Sequence, residues 1–125
     1  MPRAEIGQLI ALKSGSLNLD VQGFLLDRRA RNCAPKTVEF YSFELPAFCG
    51  YLRQQGIQAT DAVTAHYIRS YLTNLSEHRS PGGCACAFRS IRAFFKWFAL
   101  ENDLPADKWR NPLARLTAPL VFGVR

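Results

Sequence analysis

The stretch SPGGCACAFRSIRAFFKWF, residues 80–98, constrains this chain more than any other. Cys84, Phe88, Ile91, Phe95 and Phe98 recur at intervals of 4, 3, 4 and 3, which lays one apolar stripe along a helix. Arg89, Arg92 and Lys96 recur at 3 and 4 and form a cationic stripe turned away from it. No carboxylate interrupts the run from Ser80 to Leu100. A long helix fixed to a core on one side and uniformly positive on the other suits a polyanion, and the ordinary polyanion is nucleic acid.

The rest of the chain is consistent with one domain built around such a helix. Its 125 residues, 48% of them hydrophobic, are enough to bury a core and too apolar for a disordered chain. A net charge of +6 favours an acidic partner: DNA, RNA or an anionic membrane surface. No apolar run approaches the roughly 20 residues that span a bilayer, and residues 1–16 lack the apolar core of a signal peptide. A cytoplasmic protein with no membrane partner is therefore expected, and its four cysteines are expected as thiols. Cys84 and Cys86 point to different helix faces, while Cys33 and Cys49 have no ligand partner at metal-binding spacing. No metal site and no cofactor are expected, and the cysteines read as small buried hydrophobes.

Three further helices follow from capping and periodicity. Asp20 can cap a first helix of about 11 residues that buries Val21, Phe24 and Leu25, with Arg28, Arg29 and Arg31 suiting its C-terminal dipole. Pro35 opens a second helix that runs to Gln55, with Val38, Tyr41, Leu45, Phe48 and Leu52 as its core stripe. Gly56 ends it in a left-handed cap, and Pro46 inside it predicts a kink. Thr64 is the N-cap of a third helix, with Val63 and Ile68 as a hydrophobic staple and Ile68, Tyr71, Leu72 and Leu75 buried. Ser80 caps the fourth helix and Pro81 takes its first position. Asn102 to Arg110 reads as a loop, and Asn111-Pro112 starts a short final segment, Leu113 to Leu116. The periods predict an all-α fold: a compact bundle of four main helices with a flexible N-terminal arm and a short C-terminal helical segment.

These pieces, in this order, resemble the N-terminal core-binding (SAM-like) domain of the tyrosine recombinases, the phage-integrase and Xer-type enzymes. The resemblance runs from about Leu19 to Val121. It rests on Ala34-Pro-Lys-Thr37, on Tyr41, Leu45, Phe48 and Leu52, on the stretch from Val63 to Leu72, on the stretch from Phe88 to Phe98, and on Asn111-Pro112. It implies residues 1–18 as an arm, 19–116 as a DNA-binding module and 117–125 as the start of a linker to a catalytic domain. It also implies that this module does no chemistry and forms one half of a clamp around double-stranded DNA. The partners implied are that DNA, the catalytic domain of the same recombinase, and further copies of the enzyme. The second and fourth helices would face DNA: Lys36 and Thr37 would touch phosphate, and Arg89, Arg92 and Lys96 would lie along the major groove.

Elementary chemistry agrees with those roles. A helix N-terminus offers N–H groups to phosphate, the Thr37 hydroxyl adds a donor, and arginine can bond guanine twice. Gly82 and Gly83 each cost about 1 kcal/mol relative to alanine in a helix, so either a close approach of DNA or a tight helix crossing is expected there. One departure stands out. Ser42, Phe43 and Pro46 occupy positions where the family carries basic residues, and with Phe40 they make that face aromatic, suited to packing on a neighbouring domain or subunit.

Catalytic residues are not expected in residues 1–125. His66-Tyr-Ile-Arg69 has the His-x-x-Arg form of the recombinase catalytic box but sits in the third helix, and Tyr41, Tyr51, Tyr67 and Tyr71 read as core or surface aromatics. The expectation is a chain that cannot cut DNA alone. Two other classes fit less well. A helix-turn-helix regulator would use the turn at residues 78–80, but a fourth helix of about 20 residues is long for a recognition helix. A protein-binding adaptor would use Phe40, Phe43 and the apolar tail; in that tail Leu113, Leu116, Leu120, Val121 and Phe122 also suit self-association.

Overall fold

The computed structural model describes residues 16–104 and 109–116. Helix α1 spans Leu17–Ala30, α2 Pro35–Gln54, α3 Ala65–Leu75 and α4 Pro81–Glu101. Single 3-10 turns at Thr60–Ala62 and Pro112–Arg115 complete the order, and no strand occurs among the described residues. The fold is all-α. Of the expected arm, residues 1–18, the first 15 lie outside the described residues, as does the tail at 117–125; Leu17 and Asn18 instead open α1, and Leu17 is buried in the core.

Helix α4 is the central element, packed against α1, α2 and α3. Its apolar stripe is buried as the spacing predicts, at Cys84, Phe88, Ile91, Phe95 and Phe98. The buried surface is wider than that stripe, because Ala85, Ala87, Ser90, Phe94 and Trp97 are enclosed as well. Phe94 is the hub, meeting Phe24 of α1 at 5.8 Å and Phe95 and Trp97 of its own helix at 5.0 and 6.2 Å. Phe24 also takes Tyr41 of α2 edge-on at 5.1 Å, so three helices are locked by one aromatic cluster.

Local chemistry sets the helix ends, with two corrections. The sequence places the α1 cap at Asp20, but the helix begins at Leu17, and the Ser16 hydroxyl accepts the Leu19 N–H at 3.3 Å. Asp20 lies one turn further in and is 1% exposed, and the Thr60 hydroxyl donates to its carboxylate. A carboxylate ahead of an apolar run looks like a cap in sequence; a partner 40 residues away does not show there. Thr64 does occupy the N-cap of α3, yet its side chain makes no capping bond. Ser80, by contrast, accepts the Gly83 N–H at 3.1 Å, and Asn111 accepts the Leu113 N–H at 2.9 Å. Gly56 takes φ +82° just beyond α2, the left-handed conformation expected of it. Helix α2 continues through Pro46, which lies on its exposed side.

All four cysteines are thiols. Cys49 and Cys84 are buried as expected, but Cys33 and Cys86 are only half-buried, so packing alone does not account for them. Among the described residues no helix is long and apolar enough to cross a membrane.

Candidate nucleic-acid interface

Arg89, Arg92 and Lys96 are all exposed on the outer side of α4, and Lys36 and Thr37 are exposed in the first turn of α2. The two sets meet. Lys36, Thr37, Phe40 and Tyr41 of α2 and Cys86 and Arg89 of α4 line one open groove of about 440 Å³. Three of the five residues singled out in the sequence therefore share a single concavity. Arg92 and Lys96 extend the positive surface from it along α4 by one and two turns.

The two arginines are held in place from the same direction. The Arg89 guanidinium donates to the Cys86 sulfur, one turn N-terminal, at 3.1 Å. Arg92 lies over the ring of Phe88, also one turn N-terminal, at 5.5 Å. Both charges thus lean toward the end of α4 that borders α2. Cys86 itself is anchored, because the buried Ser90 hydroxyl donates to its carbonyl at 3.2 Å.

At the start of α2, Pro35 has no N–H and Ala34 has no capping side chain. The Thr37 N–H is taken by the Ala34 carbonyl at 2.9 Å. Thr37 can therefore offer its hydroxyl but not its backbone, and among the described residues the Lys36 N–H of this turn meets no acceptor.

A second feature escaped the sequence. Arg79, in the turn before α4, donates through Nη1 to both carboxylate oxygens of Glu44 at 3.0 Å and to the Gly83 carbonyl at 3.3 Å. Glu44 is buried on α2, so this ion pair ties the start of α4 to α2. The hydrogen bonds and charge of Glu44 raise the Arg79 pKa still further above its ordinary value. Residues 44 and 79 carry no spacing that would pair them; only an acidic residue beside the core position Leu45 hints at a buried partner. Gly83 is explained by the same cluster, since a Cβ there would stand 3.3 Å from the Arg79 side chain. Gly82 faces only its own capping serine, so a tight helix crossing does not account for it.

The remaining candidates separate cleanly. His66 and Arg69 are exposed on α3, where Arg69 donates to the Arg115 carbonyl at 3.4 Å. The Tyr51 hydroxyl donates to Ser70 at 2.9 Å. Tyr71 is buried, and desolvation, aided by the nearby Glu44 charge, pushes its phenol up to about 12. Another groove, of about 540 Å³ between α1 and the end of α4, has a different character. Leu19, Gly23, Leu26 and Trp97 line it together with Asp27 and Glu101, so it pairs apolar surface with carboxylates.

Residues 21–102 match the model of the phage integrase, N-terminal SAM-like domain family, well over half of the chain. The chain belongs to that family. It is an N-terminal SAM-like domain of the tyrosine recombinases, and the match does not extend to a catalytic domain. Among curated relatives it is similar to tyrosine recombinase XerC of Shigella flexneri serotype 5b (strain 8401), 28% identical over 106 residues, covering 82% of this chain and 34% of the relative. Tyrosine recombinase XerC of Oceanobacillus iheyensis is 28% identical over 90 residues, covering 71% of this chain and 28% of its own. The chain thus spans about a third of the length of the curated relatives it matches. No solved structure matches it significantly.

Proposed function

We propose that this SAM-like domain is the DNA-binding module of a site-specific tyrosine recombinase, clamping duplex DNA for integration or recombination while a separate domain cuts and rejoins it. The module begins with α1 at Leu17 and runs to residue 116, and 117–125 begin the linker. The observation that carries this reading is the groove joining Lys36 and Thr37 to Arg89, continued by Arg92 and Lys96. Lys36, the Thr37 hydroxyl and Lys96 suit phosphates, and Arg89 and Arg92, pre-positioned by Cys86 and Phe88, suit base edges or phosphates. Gly82 leaves the α4 backbone open to a close approach by the duplex.

The test is duplex-DNA binding by the purified chain across salt concentration. Four cations engaging phosphate give a slope of log K against log salt of roughly −3 to −4. No binding at low salt, or binding without a salt slope, contradicts the reading.

The groove between α1 and the end of α4 favours a second role on the opposite chemistry. The exposed Leu26 and Leu100 and the apolar lining of this groove suit a protein surface. That face is assigned to contact with the catalytic domain or a second copy of the enzyme. Ultracentrifugation across concentration with and without Leu26→Glu distinguishes the two, because only contact between copies changes the mass.

A further inference from the structure

Helix α2 offers DNA something other than charge. After Lys36 it carries no cation until Arg53, and its carboxylates between them are the exposed Glu39 and the buried Glu44. Along the face that begins at Lys36, the residues at successive helical turns are Phe40, Phe43, Ala47 and Gly50. Phe43 sits seven residues beyond Lys36, two turns along the same line, and is 65% exposed. Phe40, between them, lines the groove that holds Lys36, Thr37 and Arg89.

Phe43 is exposed but not loose. The guanidinium of Arg79 lies over its ring at 5.6 Å, and that same guanidinium is fixed by Glu44 and the Gly83 carbonyl. One ring face is therefore held by a cation already committed to a buried carboxylate, while the rest of the ring is open. A stiff apolar group pre-positioned beside a cationic groove loses little conformational freedom on binding. The other large exposed hydrophobics among the described residues, Leu26 and Leu100, lie outside the groove that holds Lys36, Thr37 and Arg89.

We propose that Phe43 is a base-reading residue of this module, making apolar contact with the 5-methyl group of thymine in the major groove. The inference rests on the DNA-binding reading above and adds sequence preference to it. The thymine methyl is the one apolar group that a base pair presents in that groove, and phenylalanine is among the side chains that meet it. The cation nearest Phe43, Arg79, is neutralised by Glu44, which disfavours a phosphate contact at this position, and Glu39 at the edge of the face disfavours one further.

The test uses two duplexes that differ only in that methyl group: an alternating A·T duplex and the same sequence with deoxyuridine in place of thymidine. The wild-type chain is expected to bind the deoxyuridine duplex about fourfold more weakly, the ratio that burial of one methyl group supports. Phe43→Ala, at an exposed position that leaves the fold intact by circular dichroism, is expected to bind both duplexes equally. Equal binding of both by the wild type overturns the inference, as does discrimination that survives in Phe43→Ala; in either case the DNA-binding reading stands. Failure of the wild type to bind either duplex at low salt overturns that reading, and the inference with it.

Discussion

Arg79 of the α3–α4 turn stands 3.0 Å from each carboxylate oxygen of the buried Glu44 on α2. A helix that carries candidate DNA contacts is thereby anchored at its first turn by a charge pair across the fold. Removing one partner of such a pair leaves the other charge enclosed, which costs about 3 kcal/mol or more. Arg79→Ala is expected to lower the urea midpoint accordingly, whereas the double variant Arg79→Met with Glu44→Met recovers most of the loss. A single variant as stable as the wild type would show that the pair does not hold α4.

Tyr71 presents the opposite case. Its hydroxyl is buried with no hydrogen-bond partner among the described residues. Deleting an unsatisfied buried hydroxyl removes a desolvation penalty, so Tyr71→Phe is expected to be neutral or to stabilise by about 1 kcal/mol at pH 7. Chemical denaturation of the two proteins side by side measures this, and a loss of more than about 1 kcal/mol contradicts the burial described.

Alkaline pH provides a third check. Burial raises the Cys49 thiol from 9.0 to about 11 and the Tyr71 phenol from 10.0 to about 12. Each group stays protonated in the folded chain where the unfolded chain has already lost its proton. Stability from both is fully present below pH 9 and is lost as pH rises toward 12. The loss is on the order of 2 kcal/mol for each group. Cys49→Ala should delay the onset of the decline from about pH 9 to about pH 10, the ordinary range of tyrosine. An unchanged onset in that variant would assign the decline elsewhere.

The two sides of α4 separate stability from binding. Phe88 and Phe95 are 1% and 0% exposed, so truncation to alanine should cost about 3–5 kcal/mol. Arg89→Ala and Arg92→Ala, on the exposed side, should change stability by less than about 0.5 kcal/mol. Thermal melts of the four variants test this division, and an arginine variant as unstable as the phenylalanine variants would refute it.

What the sequence made legible follows from how local each signal is. The α4 stripe, the Ser80–Pro81 start and the Gly56 stop are written in neighbouring residues, and each stands where its spacing placed it. The stripe came out too narrow because Phe94 and Trp97 face α1, and a helix packed on three sides buries more than one seam. Asp20 was misplaced as a cap because its partner Thr60 is distant in sequence. The candidate site was half-legible. Its charges have helical periodicity, but the meeting of Thr37 with Arg89, like the pairing of Arg79 with Glu44, depends on how α2 and α4 pack.

The most direct test of the central claim compares duplex-DNA affinity for Arg89→Ala and Arg92→Ala with that for Arg53→Ala and Arg69→Ala, across salt concentration. All four arginines are exposed, but only the first two lie on the stripe that continues from the groove. The first pair is expected to weaken binding, with the salt slope becoming shallower by about 1 for each lost phosphate contact, while the second pair stays close to wild type. Equal losses at all four positions would mean that binding follows diffuse positive charge, and would contradict an interface built from the start of α2 and the outer side of α4.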